Sequence, residues 1–402
     1  MIKKLAIDAL RPGMEVVKMS SDLWEHMPYL YTTPGMIKSE EQLKRLRKEG
    51  YLHAFVEVEI PGEPPLNQRL DAMLSDRNDT PPLKPRVPFD KEIHVAQRAY
   101  DNAMTHARRL IHDAKMGRKV NYESSVKTVD AIVDSAVRNP DTLLCLSKLS
   151  SYDEYTYAHS INVSAIAVVF GEYLGLSRKE LVHLGVAGMM HDLGKTAVPS
   201  RIINKRARLT DSEFDVIKRH PEFGFDILKK QNEIPTEVLE AVRDHHEKFN
   251  GSGYPNNRPR TETSALARII SLADVYDALT SDRSYKDAIL PNKALAIMYG
   301  MRDQDFDPLE VQMFIKCLGI FPSGSLVKLN TGFYGVVYES NPKLPLMPKI
   351  KIILDQDLRP IPSELVDLAA RQAVGDDNLE ILECADPSSY RVNLKPYLTR
   401  KR

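Results

Sequence analysis

The stretch Leu184-Gly-Val-Ala-Gly188-Met-Met190-His191-Asp192-Leu193-Gly194-Lys195 decides how the chain is read. Leu181, Leu184 and Gly188 fall on one face of a helix expected over 178–191, so an apolar surface runs straight into His191-Asp192. A His-Asp pair alone says little, because this composition produces about one by chance. A second pair, His112-Asp113, lies in a charged amphipathic helix and reads as a solvated face. The first pair differs in its apolar approach and in Gly185 and Gly188, small enough for other helices to come close.

Working outward, the same anomaly recurs. In Tyr155-Thr-Tyr-Ala-His159-Ser-Ile-Asn-Val163, helical spacing puts His159 on a stripe with Tyr155, Val163, Ile166 and Phe170. Alone it reads as a hydrogen-bonded core histidine. His220 is expected to end a helix over 211–220, just before Pro221. Val238, Val242 and His245-His246 share a helix over 236–247. Adjacent residues there differ by about 100°, so both imidazoles converge only on something central. Leu266, Ile270, Asp274 and Ala278 form an apolar stripe with a carboxylate in its middle, and an uncompensated buried carboxylate is very costly. His183 lies off these stripes.

Five histidines and two aspartates thus face inward from five helical segments. Taken singly, each needs its own buried partner. Taken as one metal site, they satisfy each other. Nitrogen and oxygen donors without sulfur suit iron, manganese or zinc. Seven exceed the needs of one tetrahedral zinc and suit two metals bridged by a carboxylate.

The rest of the chain frames that region. Its 402 residues suit two or three domains. Apolar residues are 43% and charged residues 27%, which excludes wholesale disorder, collagen-like repeats and a disulfide scaffold. Lys plus Arg and Asp plus Glu are 55 each, so no overall field draws the chain to a nucleic acid polymer or a membrane. Cys145, Cys317 and Cys384 form no CxxC pair, no apolar run is long enough to span a bilayer, and Asp8 interrupts the start; a cytoplasmic protein is expected. Residues 1–62 read as a small α+β module, with strands near 16–19 and 54–60 and a helix capped by Ser39 between them. Prolines make 63–90 a linker, with a short helix near Leu70. Helical spacing then persists over 91–320. Residues 321–402 read as a β-rich extension, with a hairpin at 325–338 and a strand at 349–354.

The order His159, His191-Asp192, His220, His245-His246, Asp274 resembles the HD superfamily of metal-dependent phosphohydrolases. The run His245-His246-Glu247-Lys-Phe-Asn-Gly-Ser-Gly253-Tyr254-Pro255 is similar to the signature of its HD-GYP branch. The first sixty residues resemble a domain of unknown function often found ahead of HD-GYP domains. The resemblance implies a mainly α, HD-type helical bundle and a bacterial cyclic di-GMP phosphodiesterase, yielding pGpG and then GMP through a hydroxide bridging two metals. It implies iron first, then manganese, with zinc less suited. Carried over by position, His159, His191, Asp192 and Asp274 hold one metal and Asp192, His220, His245 and His246 the second. Lys195 and Asp192 carry the catalytic roles. Lys195, Gly253, Tyr254, Arg283 and Lys286 contact the substrate. Tyr155 stands where three-metal members have glutamate, which implies the two-metal subgroup; Asn250 and Ser284 also depart from the family pattern. The alternatives are a preference for cyclic GMP-AMP, a non-catalytic cyclic-dinucleotide receptor or scaffold, and a di-iron oxygenase. GGDEF-domain proteins are candidate partners and a homodimer a candidate assembly.

Overall fold

The computed structural model describes residues 2–11, 15–20, 35–36, 40–41, 44, 53–57, 64–75, 85–149, 155–205, 207–231, 233–282, 288–341, 343–373 and 379–399. It divides into one unit over residues 1–68 and a second over 69–402. The first carries four antiparallel strands, β1 (Ile2–Ala6), β2 (Glu15–Ser20), β3 (Gly35–Met36) and β4 (His53–Glu57), in the order β1-β4-β2-β3. The expected Ser39 cap lies outside the described residues.

The helix expected near Leu70 is α1 (Leu66–Ser75). The bundle is then built by α2 (Phe89–Lys115), α3 (Tyr122–Arg138), α4 (Pro140–Lys148), α5 (Tyr155–Leu174) and α6 (Arg178–Met190). Helix α2 buries Phe89, Ile93, Ala96, Tyr100, Ala103, Ala107 and Leu110, an apolar stripe at helical spacing in which alanine recurs. Helix α4 escapes the periodicity reading because it is short. Its signals are local: Asn139 Oδ1 accepts the Asp141 N–H at 3.1 Å, and Pro140 sits in the first turn. Helix α5 corrects the expectation of a single apolar stripe. It is buried on every side from Ala158 to Phe170, as the central helix of a bundle must be. Gly185 and Gly188 of α6 pack against it: a Cβ on Gly188 would lie 3.0 Å from the Ser164 backbone, and one on Gly185 2.8 Å from the Val168 side chain. Helix α6 starts with a capping box of Ser177 and Glu180.

Beyond it run a short 3-10 turn (Leu193–Ala197), α7 (Ser200–Ile203), α8 (Asp211–Ile217), α9 (His220–Lys229), α10 (Thr236–Asp244) and α11 (Ala265–Thr280). Here a second expectation is corrected. His220 does not end the helix over 211–220; α8 stops at Ile217, and His220 opens α9, with Pro221 in its first turn. Proline has no N–H to give and is tolerated there, so it marks a start and not a stop. Likewise α10 ends at Asp244, leaving His245-His246 just past it.

Helices α12 (Pro291–Gly300) and α13 (Pro308–Leu318) lead to a five-stranded antiparallel sheet. Its strands are β5 (Leu326–Leu329), β6 (Tyr334–Glu339), β7 (Lys349–Leu354), β8 (Pro360–Asp367) and β9 (Ile381–Ala385), in the order β8-β7-β6-β5-β9. Val327, Leu329, Val337, Ile350 and Val366 form its own core. Buried Asp141 of α4 ties it to the bundle, accepting from Ser323 Oγ at 2.5 Å and Ser340 Oγ at 2.8 Å. Among the described residues, no helix is long and apolar enough to cross a membrane.

Candidate metal centre

Three of the helices end at one place. His191, His220 and His245 each lie at or just past a helix C-terminus, where the last carbonyls have no partner within the helix. Each imidazole takes one of them. Nδ1 lies 2.7 Å from Gly188 O in His191, 2.7 Å from Ile217 O in His220 and 2.7 Å from Val242 O in His245. A carbonyl only accepts, so each Nδ1 carries the proton and each Nε2 presents a lone pair. The C-termini of α6 and α10 also carry partial negative charge, which favours a cation beside His191 and His245.

Those lone pairs converge. His220 Nε2 and His245 Nε2 are 3.3 Å apart, acceptor facing acceptor. Asp192 stands between two groups: Oδ1 is 3.2 Å from His220 Nε2, while Oδ2 is 3.5 Å from His191 Nε2 and 3.6 Å from His159 Nε2. Asp274 Oδ1 lies 3.2 Å from His159 Nε2 and 3.8 Å from His191 Nε2. His246 Nδ1 is 4.0 Å from Asp274 Oδ2. Ligand atoms of His159, His191 and Asp192 lie within 4.8 Å of one another, as do those of His220, His245 and His246. The seven residues singled out in the sequence therefore meet in one buried cluster.

Its polar atoms are poorly satisfied by protein alone. His191 Nε2 and Asp192 Oδ1 are buried and make no hydrogen bond. Such orphans are costly in a native interior. Divalent cations fit this donor set: neutral imidazole lone pairs, two carboxylates and no competing sulfur. The electrostatics agree. Burial alone would raise the pKa of Asp192, but Lys195, His191 and His220 outweigh it and hold the carboxyl well below its usual range. Asp274 is held low in the same way, burial being outweighed by His159 and the other imidazoles. Burial, then neighbouring imidazoles, keep His245 well below its ordinary value, and burial takes His246 down to about 3. His159 is the exception: burial opposes its charge, but Asp274 and Asp277 push it up to about 9.

Lys195, in the 3-10 turn, places Nζ 2.5 Å from Asp192 Oδ2 and remains about one-third exposed. Its neighbour Gly194 admits no side chain, since a Cβ would fall 1.9 Å from His220 O. The loop after His246 is built on Glu247, whose carboxylate accepts N–H groups from Asn256 at 2.7 Å and Arg258 at 2.9 Å. A Cβ on Gly253 would lie 2.5 Å from Glu247 Cα and His246 O. The Tyr254 ring covers His246 with centroids 4.7 Å apart, and its N–H donates to His246 O at 3.2 Å. Asn250 closes a small turn by accepting the Ser252 N–H at 2.9 Å.

Arg283, Ser284 and Lys286, and the side chain of Tyr155, lie outside the described residues. His183 pairs with Glu237 at 3.2 Å and takes no part in the cluster. The sequence reading missed Asp277, whose Oδ2 lies 2.7 Å from His159 Nδ1, and the buried Glu247. Asp277 had a signal: it follows Asp274 by three positions, a second carboxylate on one apolar helix face.

Comparison with known proteins divides the chain differently, the first matched segment running through the expected linker and into the helical bundle. Residues 144–309 match the sequence profile described as HD domain, residues 2–124 a domain of unknown function, and residues 326–375 a KOW domain associated with HD domain. The chain is similar to the cyclic di-GMP phosphodiesterase PA4108 of Pseudomonas aeruginosa, 33% identical over 97% of this chain and 94% of that one. It is similar to the cyclic di-GMP phosphodiesterase response regulator RpfG of Xanthomonas campestris pv. campestris, 32% identical over 71% of this chain and 73% of that one. It also resembles the 3'3'-cGAMP-specific phosphodiesterase 3 of Vibrio cholerae, 33% identical over 42% of this chain and 36% of that one.

Proposed function

Because the chain belongs to the HD-GYP family of cyclic di-GMP phosphodiesterases, we propose that it opens cyclic di-GMP to pGpG and then cleaves pGpG to GMP at a pair of divalent metals. The single observation that carries the metal reading is the facing pair of Nε2 atoms on His220 and His245, 3.3 Å apart, whose lone pairs repel each other when both rings are neutral. A divalent cation between or beside them relieves that repulsion while keeping both Nδ1–H bonds.

In this reading His159, His191, Asp192 and Asp274 hold one ion and Asp192, His220, His245 and His246 the other. Asp192 would serve both ions, because its two oxygens face the two groups of imidazoles. Iron or manganese suits the all-nitrogen-and-oxygen set. Bound there, such ions activate water and offset charge on the phosphodiester. The chain's own residues do the rest. Lys195, held at Asp192, presents a third positive centre to the non-bridging oxygens of the phosphate. It acts as an electrostatic clamp, its ammonium anchored to a carboxylate that is itself kept ionised. Tyr254 covers one side of His246 and offers a ring against which a base or ribose of the substrate packs. Glu247 and Gly253 fix that loop. Arg283 and Lys286 complete the anion contacts in this reading, as fork and point charge.

The test is chromatography of products after incubating the manganese- or iron-loaded protein, under reducing conditions, with cyclic di-GMP and separately with cyclic GMP-AMP. Linear dinucleotide followed by mononucleotide from cyclic di-GMP is the expected result. Faster turnover of cyclic GMP-AMP reassigns the substrate, and no product from either overturns the reading.

A further inference from the structure

The four innermost histidines are held in two different ways. His191, His220 and His245 give Nδ1–H to a carbonyl three residues back, so the end of the helix just before each one aims it. His159 is aimed from a distance, by Asp277 Oδ2, which is 118 positions away in the chain. A carboxylate can swing about two side-chain bonds, so it orients a ring only if its own position is fixed.

Asn162 fixes it. This residue lies three positions beyond His159 on α5 and is buried. Its Nδ2 donates to Asp277 Oδ1 at 2.9 Å and to Ser147 O at 3.2 Å, while its Oδ1 accepts from the Tyr100 hydroxyl at 2.6 Å. The reversed amide would set a carbonyl oxygen against the Asp277 carboxylate, so the surroundings dictate one orientation. Ser281 Oγ adds a bond to Asp277 Oδ1 at 3.2 Å. A buried chain of hydrogen bonds thus runs from Tyr100 of α2 through Asn162 and Asp277 to His159. Tyr100 lies within residues 2–124, the segment matching the domain of unknown function, so the chain starts in one matched region and ends at the cluster of another.

We propose that Asn162 and Tyr100 are positioning residues that aim His159 through Asp277, and thereby tie the affinity of one of the two metals to the seating of helix α2. The inference rests on the metal-site reading above. It predicts unequal behaviour of the two ions: loss of the hydrogen-bond chain loosens the ion held by His159 and spares the one held by His220, His245 and His246.

The experiment is a manganese(II) titration of the full chain, free ion being read from its electron paramagnetic resonance signal. Asn162→Ala, Tyr100→Phe and His159→Ala are compared with the unaltered protein, and a melting curve accompanies each. The unaltered chain is expected to bind two ions. Asn162→Ala should weaken one of them by roughly 10–100-fold and leave the other unchanged. Tyr100→Phe removes a single hydroxyl and should weaken the same ion by about three- to tenfold. Excess manganese(II) should restore turnover in both variants. If His159→Ala weakens an ion but Asn162→Ala and Tyr100→Phe bind both like the unaltered chain, the positioning role is overturned while the metal reading stands. If the unaltered chain binds no manganese(II), or His159→Ala changes nothing, the metal reading itself fails. Should Asn162→Ala not fold, Tyr100→Phe decides alone, unchanged affinity overturning the proposal.

Discussion

Two buried polar clusters sit in the same helical unit and resolve their charges in opposite ways. Behind the loop that carries Tyr254, Arg268 donates to Glu310 at 2.7 Å and to Thr263 O at 3.0 Å, and Arg260 pairs with Asp71 at 2.6 Å and with Asp307. Positive and negative side chains alternate there, two guanidinium groups against three carboxylates, so that opposite charges face each other even though Arg260 Nε and Arg268 Nη2 make no hydrogen bond. The histidine–aspartate cluster is arranged otherwise. It brings acceptors together, orphans His191 Nε2 and Asp192 Oδ1, and keeps His245 and His246 uncharged. The difference teaches how to separate structure from chemistry in a buried polar site. A cluster that sets opposite charges side by side holds the fold together, and one that leaves lone pairs facing each other is built for something added.

That contrast can be broken by substitution. Asp192→Asn removes the carboxylate charge and should lower turnover of cyclic di-GMP by on the order of 10³-fold, with only a modest loss of apo stability in chemical denaturation, from the attraction to Lys195 and the imidazoles. A large loss of stability with activity retained would place Asp192 among the structural residues instead. Glu310→Ala should do the reverse. It strands Arg268 and should cost about 3–5 kcal/mol in denaturant unfolding, while manganese(II) binding at moderate temperature stays intact. Gly253→Ala forces a Cβ into the backbone of Glu247 and His246. It should reduce kcat/KM by on the order of 10²-fold with metal stoichiometry unchanged, since it moves the loop and not the ligands. Ser177→Ala calibrates the comparison: it removes one helix cap of α6, at about 1 kcal/mol in the same denaturation experiment, and leaves kcat unaffected.

Much of the centre was legible because polar side chains on apolar faces break a pattern. An imidazole or carboxylate on an apolar helical stripe stands out, and all seven such residues converge. What the pattern hid was the machinery one step back. Asn162 and Asp277 are polar residues that reach their partners only when α2, α4, α5 and α11 pack together, a contact with no local signature. The helix break at His220 was misread because proline stops a helix or starts one, and only the carbonyl left free at Ile217 decides which. Strand β8 escaped for a related reason. Pro360 and Pro362 suggest a loop, yet proline is tolerated at the outer edge of a sheet, where β8 lies. The five-residue β9, at the other edge, was equally short of signal. The glycines at 194 and 253 were visible as motif positions, but the reason for them, backbone within 2.5 Å of where a Cβ would stand, belongs to the folded chain.

Metal content bears most directly on the claim that these side chains form one binuclear centre. Protein purified without oxygen and analysed for elements should carry two iron or manganese ions per chain, and Asp192→Asn prepared in parallel markedly fewer. An unaltered chain with no divalent metal, or an Asp192→Asn protein with the same content, would contradict it.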